Sequence, residues 1–131
     1  MNTIIEILES PSFEDQIVTR FESSSDGDST EKFHISVQRV DKNKSDSNVE
    51  IYRKKISTSV ANNLIIKISS LTLTACPEFV LGLDGTTTEL RITRGFNECR
   101  LSWWGSIPIQ WNEVSELIFE LRQAAYPEKH D

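Results

Sequence analysis

The stretch LGLDGTTTELRITRGFNECRLSWWGSIPIQWNEVSELIFELRQAA, residues 81–125, decides the fold that the sequence predicts. Its Asp84-Gly85 dipeptide is typical of a hairpin turn, because such turns need residues that tolerate positive φ. A strand pattern follows, a second turn falls at Gly95, and a further strand pattern ends in two tryptophans. An amphipathic helix pattern then opens at Pro108, because the first helical turn does not need the N–H that proline lacks. The stretch therefore predicts two strands and a helix, in that order.

Two segments have the apolar period of 3.6 residues that is typical of a helix packed on one side. The first is predicted at 57–71, with a serine or threonine at 58–59 as its N-cap, and its apolar stripe consists of Val60, Ala61, Leu64, Ile65, Ile68 and Leu71. The second is predicted at 108–125, and its stripe consists of Trp111, Val114, Leu117, Ile118, Leu121 and Ala125. Ile66 and Phe119 lie off these stripes. We expect them either to form an apolar patch on the outer helix surfaces or to pack against the N-terminal segment.

Alternation of apolar and polar residues predicts the strands. They are expected at 16–22, 32–40, 49–56, 78–83, 87–93 and 98–104, and residues 3–8 are expected to form either a strand or one helical turn. In the strand at 49–56, Val49 and Ile51 are predicted to face the core and Tyr52 to face away from it. The acidic segment 23–31 (SSSDGDSTE) is predicted to be an exposed, mobile loop, because such a composition cannot bury itself.

Together these elements predict one α+β domain over residues 1–131. We expect a mainly antiparallel sheet with both amphipathic helices packed on one of its faces. The halves 13–72 and 78–125 each contain about three predicted strands followed by one helix. This match indicates either two β-meander-plus-helix halves or a coincidence of pattern. The tail at 128–131 is expected to fray.

Composition limits the class of protein and its partners. The chain has 131 residues, of which 37% are hydrophobic and 26% charged, as is ordinary for one soluble domain whose core needs no disulfide or metal. Its formal net charge of −6 disfavours nucleic acid and anionic membranes, and it is compatible with a protein partner that has a basic surface. Cys76 and Cys99 are interpreted as reduced thiols. Residues 1–9 lack a signal-peptide pattern and no apolar run is long enough to span a membrane, so we expect a cytoplasmic protein.

The motifs of common catalytic and cofactor sites are absent from the sequence. It contains no glycine-rich phosphate loop and no nucleophile elbow, and its two histidines, His34 and His130, are too far apart for a metal-ligand spacing. Cys99 is predicted to face the core and His34 to face away from it, which disfavours a nucleophile–base pair. We therefore predict no catalytic, cofactor-binding or metal-binding residue, and a protein that is not an enzyme. RNA binding on the sheet is disfavoured as well, because the aromatic signature strand of such domains is missing.

The sheet face opposite the helices is the first candidate for binding. It is predicted to carry His34, Tyr52, Arg91, Arg100 and Trp104. A turn centred on Gly95 aligns the apolar faces of the last two strands and sets Arg91 directly across from Arg100. Like charges in that position destabilise a strand pair by ~0.2–1 kcal/mol. We expect an acidic group to offset the repulsion, supplied either by a ligand or partner anchored on Trp104, or by a diagonal glutamate among Glu50, Glu89 and Glu98.

Part of the chain resembles a group of small bacterial proteins of unknown function. The resemblance rests on Leu83-Asp84-Gly85-Thr86-Thr87, Glu89-Leu90, Trp103-Trp104, Pro108 and Trp111. In those proteins a strand with Asp-Gly, a Trp-bearing strand and a Pro-x-x-Trp helix close the domain. Some small proteins with this general look are immunity proteins, which bind and neutralise a toxin. The resemblance implies a fold and a class of function, and it transfers no binding residues.

We therefore expect a small cytoplasmic binding protein. Its most concrete form is an immunity-type inhibitor that occludes a basic toxin surface with its acidic loop and mixed sheet face. The candidate partner-binding residues are Arg91, Arg100, Trp104, Tyr52, His34, Ile66 and Phe119. One alternative is a small ligand-binding domain or enzyme with a pocket between sheet and helices. Another is a self-assembling structural module, such as a homodimer, that uses the faces around Ile66 and Phe119.

Overall fold

A six-stranded antiparallel sheet and two helices form the fold in a computed structural model that describes residues 2–12, 14–25, 31–41, 48–78 and 85–126. The strands are β1 (Asn2–Ser10), β2 (Gln16–Ser25), β3 (Glu31–Val40), β4 (Asn48–Ile56), β5 (Thr87–Arg94) and β6 (Asn97–Trp104), and the helices are α1 (Thr58–Ser69) and α2 (Asn112–Ala125). The strand order is β4-β3-β2-β1-β5-β6, and every neighbouring pair is antiparallel. This arrangement confirms the predicted α+β class.

β1 occupies the centre of the sheet, between β2 and β5. Its Ile5 and Ile7 side chains are fully buried, and Ile5 lies between Phe21 of β2 and Ile92 of β5. Of the two predictions for residues 3–8, the strand is therefore the correct one. β1 to β4 form a meander, and after α1 the chain returns to pair β5 with the other side of β1.

The two helices begin at local signals that the sequence supplies. The cap of α1 is Ser57, not Thr58 or Ser59 as predicted, because the Oγ of Ser57 accepts a hydrogen bond from the backbone N–H three residues further on at 3.2 Å. The predicted helix at 108–125 is divided into a 3-10 turn, Ile109–Trp111, and α2. Trp111 Nε1 donates a hydrogen bond to the carbonyl oxygen of Thr74 at 2.7 Å, which ties the segment after α1 to the start of α2.

The hydrophobic core lies between the helices and one face of the sheet. The helices contribute Ala61, Leu64, Ile68, Val114, Leu117, Ile118, Leu121 and Ala125. The strands contribute Ile4, Ile5, Ile7, Phe21, Phe33, Ile35, Ile56, Leu90, Ile92 and Leu101. Because all of these belong to one cluster, both helices pack on the same side of the sheet, as predicted, and the other side faces outward.

β4 forms where it was predicted, but beyond the bulge at Ile51 its two faces are the reverse of the prediction. A register shift between Val37 and Gln38 of β3 leaves Ile51 without a partner, so Tyr52 lies across from Val37 and faces the helices. Val49 and Ile51 are instead 50% and 53% exposed. A bulge moves the alternation by one residue, and the pattern of apolar residues in a single strand does not reveal it.

The predicted loop at 23–31 is shorter than expected. Residues 23–25 continue β2 and pair with residues 31–33 of β3, because a serine backbone can join a ladder like any other. Residues 26–30 lie outside the described ranges, so a mobile loop there stays a prediction.

The two halves of the sequence contribute different numbers of strands. Four strands precede α1, whereas the described strands between α1 and α2 are β5 and β6. The strand predicted at 78–83 falls almost entirely on residues outside the described ranges. β1 lies outside the predicted halves 13–72 and 78–125, and it joins β2 to β5 at the centre of one sheet.

Besides Val49 and Ile51, two further positions predicted to be in the core are exposed. Val60 lies in the first turn of α1 and is 38% exposed, because it borders the outer surface between the helices. Cys99 points to the helix side of the sheet, but it is exposed because β6 is the edge strand.

Candidate protein-docking surfaces

The sheet face turned away from the helices, called the open face below, carries a row of arginines. The registers of the five strand pairs align Arg53, Ser36, Arg20, Glu6, Arg91 and Arg100 across β4, β3, β2, β1, β5 and β6. The register predicted for the last hairpin is confirmed, and Arg91 lies directly across from Arg100. Cations in such a row repel one another, so their neighbours decide whether the open face can receive an anionic partner.

Carboxylates of the open face neutralise the centre of this row. Glu6 Oε2 accepts a hydrogen bond from Arg20 Nε at 2.8 Å, and Glu6 Oε1 lies 3.9 Å from Arg91 Nη1. Glu98 lies between Arg91 and Arg100. Its Oε1 is 3.3 Å from Arg91 Nε and accepts a hydrogen bond from Arg100 Nε. Of the two expected ways to offset the Arg91–Arg100 repulsion, the structure contains the carboxylate of the chain itself.

The arginine of β4 is neutralised in the same way. Arg53 Nε donates to Glu50 Oε1 at 2.9 Å, and Arg53 Nη2 lies 3.7 Å from Glu22 Oε2. Glu22 is buried, and its Oε1 accepts a hydrogen bond from Ser36 Oγ at 3.1 Å. A buried carboxylate that is paired and hydrogen-bonded belongs to the folded structure and is not offered to a ligand.

The open face as a whole is almost neutral. Among the described residues, six cations point from it, namely Arg20, Arg53, Arg91, Arg100, Lys32 and Lys55, and five carboxylates, namely Glu6, Glu22, Glu50, Glu89 and Glu98. The chain has a formal net charge of −6. Its excess negative charge therefore lies on other surfaces.

Ion pairing shifts protonation equilibria on the open face. The hydrogen bond from Arg100, together with attraction to Arg91, holds the pKa of Glu98 below its ordinary value. The same hydrogen bond raises the pKa of Arg100. Both side chains are therefore ionised at neutral pH and satisfy each other.

The sequence-predicted binding residues divide between three places. His34, Arg91, Arg100 and Trp104 point from the open face, as predicted. The placement of Tyr52 was wrong, since it lies on the helix side and stacks on Tyr126 just after α2, with 5.6 Å between ring centroids. Burial raises the pKa of Tyr126. Tyr52 is therefore a packing residue, and the remaining two candidates lie on the helices.

The outer surface of α1 and α2, called the helix surface below, presents large apolar side chains to solvent. Ile66 of α1 and Phe119 of α2 are 64% and 62% exposed, as their positions off the apolar stripes predict. Between the helices runs a groove of about 580 Å³. The groove is lined by residues that include Val60, Leu64, Ile66, Lys67, Glu120 and Gln123. Exposed apolar side chains beside a groove between two helices are typical of a partner site.

One carboxylate of α2, Glu120, lines this groove, and Glu113 and Glu116 precede it on the same helix. Lys67 Nζ donates to Glu120 Oε1 at 2.7 Å and lies 4.0 Å from Glu116 Oε2, and the hydrogen bond raises the pKa of Lys67. Glu113 Oε2 accepts hydrogen bonds from the backbone N and the hydroxyl of Thr72 at 3.2 and 2.6 Å. One lysine thus faces three glutamates, so the helix surface is both acidic and apolar.

A third feature is a cleft of about 330 Å³ beside the C-terminal half of β6. The described residues that line it include Cys76, Pro77, Trp103, Trp104, Pro108 and Trp111. Trp103 and Trp111 meet edge to face with 6.0 Å between ring centroids. The cleft is therefore an aromatic, mainly apolar site of the size that small ligands occupy.

Sequence reasoning missed the acidic side of α2 as part of a site. Glu113, Glu116 and Glu120 have the spacing of a solvated helix face, and that spacing alone does not indicate a binding site. The signal that separates them from an ordinary solvated face is Phe119, which lies among them and is apolar.

Within the described parts of the chain, no group of three His, Cys, Asp or Glu side chains is placed to hold a metal ion. In the same ranges, no helix is both long enough and apolar enough to cross a membrane. Comparisons of the chain with protein-family models, with curated proteins and with solved structures found no match.

Proposed function

We propose that this protein is a non-enzymatic binding protein that docks a partner with a basic surface on its helix surface. One observation carries the proposal. Ile66 and Glu120 line the groove between the helices, and Phe119, the residue before Glu120, stands exposed on α2. Apolar side chains with a charged rim are the arrangement by which protein interfaces combine desolvated contact with selectivity.

The charge distribution supports a basic partner. The open face balances its own charges, so it offers no net attraction to a charged surface. On the helix surface Lys67 is outnumbered by the glutamates around it. Long-range attraction would steer a basic partner to this side, and burial of Phe119 would then supply most of the binding energy.

In its most concrete form the protein is an immunity-type inhibitor. Such an inhibitor covers a basic functional surface of a toxin, for example the nucleic-acid cleft of a nuclease, and needs no catalytic residue of its own. The docking site proposed here differs from the open sheet face predicted from the sequence. The reason is that Glu98 already neutralises the charges of Arg91 and Arg100.

Affinity capture with variants of the protein tests this proposal. The wild-type protein is immobilised and exposed to lysate of its source, beside an Ile66→Ala/Phe119→Ala variant. The wild type is expected to retain a stoichiometric basic protein that the variant loses. Raising the ionic strength from about 0.1 M to about 1 M shortens the screening length from ~10 Å to ~3 Å and is expected to weaken the capture.

An Ile51→Ala/Trp104→Ala variant is the matched control. Like the helix-surface variant, it removes one exposed isoleucine and one exposed aromatic side chain. Ile51 comes from β4 and Trp104 from the open face. The control is expected to capture the same partner as the wild type. Loss of capture in the control and retention in the helix-surface variant would contradict the proposal, as would capture of an acidic partner that high salt does not release.

The cleft beside β6 supports a second function, the binding of a small apolar or aromatic ligand. Its three tryptophans, Trp103, Trp104 and Trp111, would report occupation directly through their fluorescence. A library of small aromatic compounds is expected to contain members that quench this fluorescence in wild-type protein and not in Trp104→Ala. Absence of any saturable quenching would contradict this function and leave the helix surface as the site.

A further inference from the structure

The two edges of the sheet differ in their protection against pairing with another strand. Edge strands expose unpaired N–H and C=O groups, and proteins commonly protect them with bulges and lysines. β4 has both devices, since it carries the bulge at Ile51 and the pair Lys54-Lys55. β6 pairs with β5 over its whole length without a register shift, contains no lysine, and meets no further described strand on its outer side. β6 is therefore the edge that can accept another strand.

The hydrogen-bonding pattern defines which backbone groups β6 offers. Gly105 N donates to Thr86 O at 2.8 Å, and hydrogen-bonded pairs recur at every second residue of an antiparallel ladder. The pair of Ile92 and Cys99 is therefore hydrogen-bonded within the hairpin. The N–H and C=O groups of the neighbouring residues, Glu98 and Arg100, point outward from the sheet.

We propose that two copies of this chain pair along β6, antiparallel and about a two-fold axis at Cys99. In this register Cys99 lies across from Cys99 of the second copy as a non-hydrogen-bonded pair. Glu98 lies across from Arg100 of the second copy, and Arg100 across from its Glu98. Each of these two pairs exchanges backbone hydrogen bonds through the outward-pointing groups, and each joins opposite charges on the open face.

Neighbouring registers lack this complementarity. A two-fold axis at Arg100 would place the two Arg100 side chains across from each other, and an axis at Glu98 would do the same with the two Glu98 side chains. An axis at Leu101 would set Glu98 across from Trp104 and form no ion pair. A shift by one residue between the chains would place open-face side chains across from helix-side ones. The sequence of β6 therefore selects the axis at Cys99.

The described residues around β6 leave room for this arrangement. The segment 75–78 lies beside residues 100–104, since both line the tryptophan cleft. Pairing about Cys99 uses residues 97–101, of which 97–100 are all exposed. Phe96 in the hairpin turn is fully exposed and would lie beside the second copy, which gives this apolar side chain a contact.

Oxidative trapping of Cys99 tests the register. The Cα atoms of a non-hydrogen-bonded pair are about 4.5 Å apart, which is within the range that a disulfide spans. The Cys76→Ser variant keeps Cys99 as its one thiol, and diamide removes two electrons and two protons from a facing pair of thiols. A covalent dimer is expected on a non-reducing gel. The Cys99→Ser variant, which keeps Cys76, is expected to remain monomeric on the gel. Equal trapping of both variants, or of neither, would overturn the proposal.

Charge reversal in the Cys76→Ser background tests the facing ion pairs. Glu98→Arg alone and Arg100→Glu alone each place like charges across the axis, and each is expected to slow trapping roughly tenfold. A mixture of the two variants restores opposite charges across the axis, although neither chain has its internal Glu98–Arg100 pair. The mixture is therefore expected to form the mixed dimer at the parent rate. Trapping that is equally slow in the mixture would show that only the pair within each chain matters and would overturn the proposed register.

This self-association does not rest on partner docking at the helix surface. If Cys99 is trapped as a disulfide and the trapped protein captures the partner as well as the untrapped protein does, the result supports the dimer and says nothing against docking at the helix surface. Loss of trapping in the charge-reversed variants with capture retained would show that the two surfaces act independently.

Discussion

The open face and the helix surface of this protein differ in charge balance: cations and carboxylates are paired on the open face, whereas carboxylates are in excess on the helix surface. On the open face each arginine of the row has a carboxylate beside it, and Glu6 at the centre contacts both Arg20 and Arg91. On the helix surface, Lys67 pairs with Glu116 and Glu120, Glu113 binds Thr72, and Ile66 and Phe119 remain exposed to solvent. A surface whose charged side chains pair with one another contributes to folding. A surface that leaves apolar and acidic side chains exposed is available to a partner.

The largest expected effect separates the inner and outer sides of α2. Leu117 is fully buried and Phe119 is exposed, two residues further along the same helix. Leu117→Ala is expected to lower the free energy of unfolding by about 2–5 kcal/mol, through lost burial and the cavity left behind. Phe119→Ala is expected to change it by less than about 0.5 kcal/mol. Urea unfolding followed by circular dichroism measures both. A comparable loss in Phe119→Ala would mean that this residue serves the fold and would remove it from the docking site.

A smaller effect compares a carboxylate from each surface. Glu6→Gln removes the negative charge that Arg20 and Arg91 share and replaces one acceptor oxygen with a donor. It is expected to lower the free energy of unfolding by about 1–2 kcal/mol, because hydrogen bonds to charged groups are the stronger ones. Glu116→Gln is the matched change on the helix surface, where the exposed pair with Lys67 is worth less than about 0.5 kcal/mol. Equal losses in the two variants would contradict the distinction between the surfaces.

A third prediction concerns the stability that the Glu98–Arg100 pair contributes at low pH. The pKa of Glu98 is lower in the folded protein than its ordinary value of 4.5, because Arg100 donates a hydrogen bond to it. The pair therefore adds stability above that ordinary value, and the contribution disappears as the pH falls through the depressed pKa. The difference in melting temperature between wild type and Arg100→Gln is expected to be present at pH 7 and to vanish in strong acid. A difference that persists at pH 2 would show that Arg100 acts through packing alone.

The smallest expected effect is the loss of stability at high pH when Lys67 on the helix surface loses its proton. The hydrogen bond to Glu120 raises the pKa of Lys67 above its ordinary value of 10.5. This contribution is therefore complete below pH 10.5 and is lost as the pH rises through the raised pKa. The small difference in melting temperature between wild type and Lys67→Gln is expected to disappear in strong alkali. A difference that is unchanged there would contradict an electrostatic role for Lys67.

Local patterns predicted much of the fold and part of the candidate site. The register of β5 with β6 follows from the turn at Gly95, whose φ is +60°, and from the alternation on either side of it. The exposure of Ile66 and Phe119 follows from helical spacing in the same way. These features depend on residues that are close together in the chain.

The remainder depends on contacts between distant parts of the chain. The bulge that reverses the faces of β4 is visible only in its pairing with β3, so the position of Tyr52 was predicted wrongly. Glu6 neutralises Arg20 and Arg91 because β1 lies between β2 and β5, and residues 3–8 alone did not indicate a central strand. Choosing between the open face and the helix surface as the docking site therefore required the order of the strands, which sets the carboxylates that lie beside each arginine.

The affinity of a captured basic partner for three forms of this protein tests the central claim most directly. Titration calorimetry would compare wild type, Phe119→Ala and Trp104→Ala at one ionic strength. We expect Phe119→Ala to weaken binding by about 2 kcal/mol or more, which is roughly thirtyfold, and Trp104→Ala to leave it unchanged. Weakened binding by Trp104→Ala with full affinity in Phe119→Ala would place the partner on the open face and contradict the account.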